Sequence, residues 1–594
     1  GNVGRRVDSV AGSLGFKVQS AKFYREEKEV PYSLAFAKQL NGKELSYNNI
    51  QDANAALCIV REFDEPFCVG LKHMNPCGAA TGKDVVEAWT KAYEADKVSI
   101  FGGIVATNRT VTKEAAELMK PIFLEIIMAP KFDEGALEVL TTKKNLRLLE
   151  VNMEKGAVDP KQYVSVNGGL LVQDDTILAV GQVDPALVRP DAEVIDLQGK
   201  YILPGFVNTH VHTSQQISRG VGDDVAFITW LHDRMWPFES NMTEEDSYIS
   251  TLMCCLEQIR CGVTAFAEPG GQFVGGMAKA VAQAGLRAKL AKSVMDCGEG
   301  LPPVWQRTAQ EELDQQEADL KRFHNTAEGR VQVWFGLRTI FNNSDWLIQR
   351  TKELADRYGV GVHMHVAEAR EEVAYCQEVF GEPTVTHLER LGVLDQNLLA
   401  VHTVWLTNEE VELFRKRDVK VSHNPASAMR VLGFAKIPRM LREGICVSIG
   451  TDGASSSNRM DMVDEMWLTS LIHKGWRLDP TVVPSQTILQ MATINGAKAL
   501  LDGHLYGSLE PGKKADLIVI DPYGPSMMPV HDKIAMHSTN VQSTMCNGKW
   551  LMRDRKILTL DEDAILREAQ KAGEAIYRRA GIRLPDRFPV TKVR

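Results

Sequence analysis

The chain has 594 residues, with 68 Lys and Arg against 77 Asp and Glu, a net charge of −9 and 44% hydrophobic residues. This composition is that of a globular protein with chain enough for several domains, and the negative charge argues against a nucleic-acid partner. The most apolar stretches are shorter than the ~20 residues that span a bilayer, and residues 1–15 lack the apolar segment of a secretory signal. The ten Cys form no C-x-x-C pair. We therefore expect no membrane contact, reduced thiols and a cytoplasmic location or an organellar interior.

Histidine divides the chain into two parts. His73 lies alone in the first 200 residues, and thirteen of the 14 His lie from His210 onward. In the first part, helical apolar spacing alternates with short apolar runs, which predicts an α/β domain. Its predicted helices are at 52–63, 85–95 and 113–119, and its predicted strands are at 67–71 and 100–106.

The second part repeats a strand-like run followed by a helix eight times. The repeats extend over about 250 residues, which is the length of eight βα units closed into a parallel (β/α)8 TIM barrel. The eight runs are 201–207, 263–267, 288–294, 331–337, 360–366, 398–401, 419–422 and 445–450.

Short alternating apolar segments with turn residues flank these repeats on both sides, at 181–204 and 507–550. They predict one small β-sandwich domain assembled from both flanks. The predicted domains are therefore an α/β fragment at 1–174, a composite β-domain at 175–203 and 507–560, a barrel at 204–506, and a C-terminal helix and tail at 561–594.

Histidines and one aspartate follow several predicted barrel strands. His210 and His212 end the first run, His365 ends the fifth, His402 the sixth and Asp452 the eighth. The carboxyl ends of barrel strands form one face, so these five side chains are expected to converge. Imidazoles with one carboxylate suit Zn²⁺ or Fe²⁺, with an open position for water. The pattern predicts one such metal ion per chain.

Three motifs carry a family resemblance: LPGFVNTHVH at 203–212, VSHNPAS at 421–427 and GTDGA at 450–454. With these motifs, residues 168–585 resemble the cytosine deaminase/chlorohydrolase branch of the amidohydrolase superfamily. The similarity is greatest to deaminases of S-adenosylhomocysteine and 5-methylthioadenosine. It implies a hydrolytic removal of ammonia from a small adenosine-like purine.

The same resemblance implies a role for each residue of the cluster. It makes His402 a hydrogen-bond partner of the attacking water or the developing oxyanion, and Glu368 the group that moves the proton. We expect His363 to have a packing or hydrogen-bonding role in its strand, outside the ligand set, and assign it no role in the reaction. The implied metal ligands are His210, His212, His365 and Asp452.

Four further residues are candidates for contact with the substrate. Glu239 matches a family glutamate that holds ribose hydroxyls, although a helix-capping role competes. Arg338 stands where the better-known bacterial deaminases have histidine, and Lys292 stands where they have arginine. A planar, permanently charged guanidinium at 338 favours an anionic or carbonyl-bearing group. His423 is either a substrate contact or a structural hydrogen-bond partner.

These departures leave other reactions open. Guanine deamination and triazine-type deamination or dechlorination are the enzyme alternatives, and a metal-free barrel scaffold is the alternative without catalysis. Ammonia release and metal content would distinguish them.

Residues 12–174 resemble part of another family, the bifunctional AICAR transformylase/IMP cyclohydrolase, in its cytidine-deaminase-like transformylase domain. The motifs that carry this likeness are at 42–49, 72–78, 99–103 and 143–150. The resemblance implies that Lys72 and His73 handle protons in formyl transfer.

Parts of that second family are missing from the chain. GSLGFKVQ at 12–19 stands where the nucleotide-binding segment is expected, and the second half of the transformylase and the cyclohydrolase are absent. Residues 168–181 fit both families, which indicates a fusion. We expect 1–174 to be a vestigial or oligomerisation module of a homo-oligomer, with a truly bifunctional enzyme as the alternative.

Overall fold

The computed structural model describes residues 5–6, 22–23, 34, 37–73, 75–153, 169–181, 192–531 and 536–583. The chain divides into two compact units, Gly1–Ser165 and Val166–Arg594. The segment 12–19, predicted to lack the nucleotide motif, lies outside the described residues. Within the described ranges, no helix combines the length and the hydropathy needed to cross a membrane.

The first unit contains a mixed sheet with helices on both faces. Its strands are β1 (Arg5–Arg6), β2 (Lys22–Phe23), β3 (Lys38–Asn41), β4 (Phe67–Lys72), β5 (Asn75–Thr81), β6 (Gly103–Thr107), β7 (Leu124–Ala129) and β8 (Arg147–Glu150). Its helices are α1 (Tyr47–Val60), α2 (Val85–Ala95), α3 (Lys113–Met119) and α4 (Glu134–Leu140). Strands β3 to β8 form one sheet in the order β3-β8-β7-β6-β4-β5, in which β6, β7 and β8 run parallel.

Successive side chains of each strand point to opposite faces of the sheet, so the strands contribute to two separate hydrophobic cores. Cys68 packs into the cluster that contains Trp89 of α2, whereas the next residue, Val69, packs into the cluster that contains Leu57 of α1. The helix starts are encoded locally, since the Asp84 side chain accepts the Glu87 N–H at the start of α2. The predicted α/β character of this part is confirmed.

The second unit contains the remaining elements. Its strands are β9 (Gly169–Gln173), β10 (Thr176–Gly181), β11 (Tyr201–Pro204), β12 (Phe206–Asn208), β13 (Val263–Gly271), β14 (Arg287–Lys292), β15 (Val331–Val333), β16 (Phe335–Leu337), β17 (Val362–Val366), β18 (Leu398–His402), β19 (Lys420–His423), β20 (Val447–Ile449), β21 (Leu517–Ile520), β22 (Val541–Cys546), β23 (Lys549–Arg553) and β24 (Lys556–Ile557).

The helices of this unit separate the barrel strands or follow them. They are α5 (Phe227–Trp230), α6 (Trp236–Ser240), α7 (Glu244–Arg260), α8 (Val274–Ala284), α9 (Ala309–Phe323), α10 (Asp345–Tyr358), α11 (Arg370–Val379), α12 (Thr384–Arg390), α13 (Asn408–Arg417), α14 (Pro425–Ser427), α15 (Ile437–Arg442), α16 (Ala454–Ser457), α17 (Met462–Arg477), α18 (Ser485–Met491), α19 (Ile494–Ala499) and α20 (Glu562–Ala580).

The barrel consists of parallel strands that pair in chain order. One run of pairs joins β12 to β15 and another joins β16 to β20. Strands β15 and β16 are two halves of one extended segment interrupted at Trp334. The ring closes where the Thr209 N–H donates to the Ile449 carbonyl at 3.0 Å. The predicted (β/α)8 barrel is therefore confirmed.

Antiparallel strands from both flanks of the barrel form a small second layer. They make a sheet in the order β11-β21-β22-β23-β24, and β9 and β10 form a separate hairpin. The hairpin and sheet share a core that contains Ile177, Leu517 and Met545. Residues 169–181 therefore cover the sheet that 517–553 builds.

The structure divides the predicted strand at 201–207 between two sheets. Residues 201–204 pair antiparallel with β21, whereas 206–208 pair parallel with β13. The break falls at Gly205, where a Cβ atom would lie 2.2 Å from the Thr264 hydroxyl. Glycine is required at this turn because the chain passes so close to β13.

Candidate metal centre and active site

Five polar side chains lie at the carboxyl ends of barrel strands. His210 and His212 follow β12, His365 lies in β17, His402 ends β18, and Asp452 follows β20. All five are buried. Because all strands of a parallel barrel end at the same face, the fold gathers residues that are far apart in sequence.

The nitrogen and oxygen atoms of these side chains converge on one point. Asp452 Oδ1 lies 3.4 Å from His210 Nε2 and 3.5 Å from His212 Nε2, and the Nε2 atoms of His212 and His365 are 3.3 Å apart. Two overlapping triads, His210–His365–His402 and His210–His212–Asp452, each have their ligand atoms within 4.8 Å of one another. His210 Nε2 is buried without a hydrogen-bond partner among the described residues. The lone pairs of these imidazole nitrogens and of the Asp452 carboxylate fit one shared metal ion. Such an ion would give the buried His210 Nε2 a partner.

Burial sets the charge state of the cluster. It lowers the pKa of His210 and lowers the pKa of His212 and His365 well below 6.5, so the imidazoles are neutral and their lone pairs are free. Burial alone would raise the pKa of Asp452, but the close contact with His210 and the neighbouring His402 and His212 rings hold it well below 3.8. Neutral imidazoles beside an ionised carboxylate are the forms that bind a divalent cation.

Hydrogen bonds behind the cluster orient two of its rings. His363 Nε2 lies 3.0 Å from His210 Nδ1. His365 Nδ1 lies 2.8 Å from the Arg338 carbonyl oxygen, to which an Nδ1–H donates. That bond leaves His365 Nε2 as the nitrogen directed at the cluster.

His402 presents a proton donor to the same region. Asn424 Nδ2 donates to His402 Nδ1 at 3.2 Å, which puts the ring proton on Nε2. His402 Nε2 lies 3.5 Å from Glu368 Oε1 and 4.0 Å from Asp452 Oδ2. Burial lowers the pKa of His402 to about 3, so the ring stays neutral.

Glu368 has the properties of a proton carrier. Burial, together with the charges of Asp452 and Glu372, raises the pKa of its carboxyl to about 8. Glu372 accepts the backbone N–H groups of Ala367 and Glu368 at 2.8 Å and 2.9 Å, which fixes the turn that carries this carboxyl. A carboxyl that can hold and release a proton near neutral pH suits general acid–base catalysis.

Three residues at these strand ends adopt left-handed backbone conformations. The φ angles are 48° at Ala367, 67° at His402 and 61° at Asp452. Such conformations are unfavourable for residues other than glycine and concentrate at functional sites. The surrounding fold therefore holds the cluster in a strained geometry.

The cluster opens into a cavity with two lobes. The metal lobe lies beside His212, His365, Glu368, His402 and Asp452, and the second lobe lies next to it. Arg338 lines both lobes, and Glu239 lines the second. Glu239 accepts from Ser214 Oγ at 3.0 Å and from Gln215 Nε2 at 3.3 Å. These partners are side chains, so Glu239 does not cap a helix here.

The structure does not bring the other two predicted substrate residues into this cavity. Lys292 forms an ion pair with Glu312 of α9 at 2.5 Å, on the side of β14 away from the cavity-lining Ser293. His423 Nε2 lies 3.1 Å from His473 Nε2 of α17. Of the two interpretations of His423, the geometry favours the structural hydrogen-bond partner.

Two residues near the cluster were not predicted to take part. His363 lies two positions before His365, so both face the barrel interior, and this spacing could have identified it. Glu268 is buried within β13, directly after the predicted strand 263–267, and accepts the N–H groups of Thr213 and Gly270, at 2.5 Å and 3.0 Å. It anchors the segment directly after His212, and its place at a strand end was the available signal.

The proton-handling pair predicted in the first unit lies at one turn. Lys72 ends β4, and its Nζ donates to the Phe101 carbonyl at 2.9 Å. His73 is exposed, with its N–H 3.3 Å from Asp52 Oδ2 and a φ of 53°. Lys72 is therefore half-buried at the strand end, and His73 beside it is open to solvent.

Comparison with known proteins agrees with this geometry. Residues 201–551 match the amidohydrolase family, and residues 17–193 match the AICARFT/IMPCHase bienzyme. The 5'-deoxyadenosine deaminase of Methanobrevibacter smithii is 37% identical over 429 residues, which cover 70% of this chain and 96% of that protein. The 5-methylthioadenosine/S-adenosylhomocysteine deaminase of Desulfitobacterium hafniense is 36% identical, with 69% and 94% covered.

Solved structures share the fold of the second unit. An adenosine deaminase from Xanthomonas campestris with bound zinc superposes with a TM-score of 0.65 and 28% identity, covering 69% of this chain and 93% of that one. Guanine deaminase of E. coli has a TM-score of 0.60 at 20% identity, covering 65% of this chain and 92% of that one, which supports the fold alone. With its barrel, its strand-end histidines and relatives that it matches over nearly their full length, the chain belongs to the amidohydrolase family.

Proposed function

We propose that this chain is a metal-dependent hydrolytic deaminase of an adenosine-like purine derivative. The observation that carries the proposal is the pair of overlapping metal-ligand triads, with Glu368 beside them, in the lining of the metal lobe. The named activities of the relatives support the same reaction.

One zinc ion, or Fe²⁺, would be held by His210, His212, His365 and Asp452. The orphaned His210 Nε2 and the ionised Asp452 support this assignment, as does the zinc in the Xanthomonas campestris enzyme. When bound, such an ion acts as a Lewis acid and lowers the pKa of water to about 7.

Protein side chains then carry the proton transfers. Glu368 accepts a proton from the attacking water as the C–O bond forms at the amino-bearing ring carbon and the C=N electron pair moves onto the adjacent ring nitrogen. It returns that proton to the amino group as the C–N bond breaks and ammonia leaves. His402 donates its Nε2–H to the oxygen of the attacking water, which gains negative charge as its proton leaves. Asn424 keeps the proton of His402 on Nε2 because it donates to Nδ1.

The two lobes accommodate different parts of the substrate. The heterocycle with its amino group occupies the metal lobe, and the attached sugar-like group extends toward Glu239, whose carboxylate accepts hydrogen bonds from hydroxyls. Indole rings of Trp236 and Trp305 wall the second lobe and exclude water from it.

We further infer a homo-oligomer in a cytoplasmic or organellar interior. All ten cysteines are free thiols, as in a reducing compartment. Phe101 and Phe123 contact each other on the surface of the first unit while 60% and 52% exposed, an apolar area that self-association would cover.

Ammonia release from the zinc-loaded full chain tests the reaction. The panel comprises 5'-deoxyadenosine, 5-methylthioadenosine, S-adenosylhomocysteine, guanine and an amino-triazine. We expect release from the adenosine derivatives and a loss of about 10²- to 10⁴-fold in kcat for Glu368→Gln, because the proton carrier is removed while the shape is kept.

His210→Ala supplies the control for the metal site. It should abolish turnover and zinc binding while circular dichroism shows a folded barrel, since a ligand is lost from a position at the barrel face. Ammonia released from guanine or the triazine alone would overturn the adenosine assignment. Turnover that survives His210→Ala would place the active site elsewhere.

A further inference from the structure

A buried cation that forms no ion pair with the described side chains lies in the wall shared by the two lobes. Arg338 is 7% exposed and lines both lobes. Neither a hydrogen bond nor an ion pair joins its guanidinium to a side chain in the part of the chain that the structure describes. Its backbone is held in place because the carbonyl accepts from His365 Nδ1 at 2.8 Å.

The other cations near the cavity are compensated. Arg430 lines the metal lobe but donates to the Ser456 carbonyl at 2.7 Å and to the Asp223 carboxylate. Lys292 is neutralised by Glu312 outside the cavity. Of the Arg and Lys side chains that line the two lobes in the described part of the chain, Arg338 is therefore the one whose N–H donors are unused.

A buried guanidinium whose N–H donors have no hydrogen-bond partner is unfavourable, because the donors lose contact with bulk water without gaining a protein acceptor. Such a group persists where a ligand supplies the missing interaction. The planar guanidinium of Arg338 can donate to two acceptors at once. Suitable pairs are the two oxygens of a carboxylate, or a ring carbonyl and the neighbouring ring nitrogen.

We propose that Arg338 forms a subsite for an oxygen acceptor of the substrate, so that the enzyme prefers adenosine-like compounds bearing a ring carbonyl or a carboxylate over those with neither. The proposal rests on the deaminase function proposed above and specifies its substrate class. Because Arg338 faces the metal lobe and the Glu239 lobe alike, an acceptor on the ring or on the attached group can reach it.

Selectivity among matched substrates tests the subsite. The zinc-loaded full chain is assayed for kcat/KM with 2-oxoadenosine as the ring-carbonyl compound, S-adenosylhomocysteine as the carboxylate compound, and 5'-deoxyadenosine and 5-methylthioadenosine as compounds with neither. We expect one oxygen-bearing compound to be preferred. Arg338→Met should reduce that preference roughly 10- to 100-fold, the usual contribution of a hydrogen bond to a charged group.

Two further variants serve as controls. Arg338→Lys keeps the charge but loses the fork, so it should retain part of the preference. Arg430→Gln removes a positive charge from the same cavity wall and should leave the preference ratio unchanged. Zinc content and circular dichroism establish that each variant is folded. An Arg338→Met protein that loses kcat/KM equally for all four compounds would overturn the subsite.

Binding to an inactive protein separates this proposal from the reaction itself. Dissociation constants are measured by calorimetry with Glu368→Gln, with and without Arg338→Met, for the same four compounds. If no compound releases ammonia but Arg338 still determines tighter binding of the oxygen-bearing ones, the deaminase function fails and the subsite stands. If no compound binds in an Arg338-dependent way, the subsite is overturned.

Discussion

At the scale of single residues, one buried imidazole positions another. His363 and His365 both project into the barrel from β17, but His365 belongs to the metal cluster while His363 contacts His210 Nδ1. Burial and the neighbouring imidazoles keep the pKa of His363 well below 6.5, so this ring is neutral. A metal-ligating histidine needs such a partner on its second nitrogen to hold its orientation.

We expect His363→Leu to weaken zinc binding about 10- to 100-fold, because the His210 ring loses the partner that orients it. Competition with a chromogenic chelator measures the affinity. His363→Gln keeps an amide at the same place and should recover part of the loss. An unchanged zinc affinity in His363→Leu would contradict a positioning role.

At the scale of elements, helix α11 carries the turn that presents Glu368. Ala369 precedes this helix and offers no capping side chain. Glu372, in the first helical turn, bonds instead to the N–H groups of Ala367 and Glu368. The helix start and the position of the proton carrier thus depend on one buried carboxylate.

That carboxylate makes stability depend on pH. Burial raises the pKa of Glu372 from 4.5 to about 7, so the folded protein binds this proton more tightly than the unfolded chain does. The stabilisation is complete below pH 4.5 and is lost as pH rises to about 7, a change of about 3 kcal/mol at about 1.4 kcal/mol per pKa unit. Because glutamine does not titrate, the free energy of unfolding of Glu372→Gln should not show this decrease between pH 4.5 and about 7.

Urea unfolding of the metal-free protein at several pH values between 4.5 and 8 measures the difference. Metal-free protein is used because zinc binding is itself dependent on pH. Glu371→Gln, at the exposed neighbouring position in the same helix, should follow the parent protein. Parallel curves for Glu372→Gln and the parent would contradict the assignment.

At the scale of the whole molecule, one compact unit, Val166–Arg594, contains sequence that matches two different families. The match to the AICARFT/IMPCHase bienzyme runs to residue 193, whereas the first compact unit ends at Ser165. The hairpin of β9 and β10 lies between these limits and packs on the β-sheet of the second unit. Sequence that matches the first family therefore completes the β-layer beside the barrel.

We expect the full chain to show no formyl transfer from 10-formyltetrahydrofolate to the aminoimidazole nucleotide. Lys72 and His73 lie at an exposed turn, and transfer needs both substrates held against the proton-handling groups. A formyl-transfer assay with Lys72→Ala as the control measures this. A Lys72-dependent rate close to that of an intact transformylase would establish a bifunctional enzyme.

By itself, the sequence determined the architecture and which histidines and aspartate converge at one face of the barrel. Eight apolar runs spaced by amphipathic helices leave a parallel barrel as the compact solution, and residues that follow those runs must share one face. Local signals also determined helix starts, such as Asp84 before α2. Helix starts depend on neighbours in the chain, and the shared barrel face follows from the repeated strand–helix pattern, so pattern and spacing suffice to predict both.

Only the tertiary structure decided which charged residues reach the substrate space. Lys292 and Arg338 are both cations near strand ends, yet Lys292 is paired with Glu312 while Arg338 faces the cavity. Likewise, the break at Gly205 depends on the approach of Thr264 from the next strand. A side chain's partner is set by which distant element packs against it, and in a buried site that partner decides whether a charge is neutralised or left for a ligand.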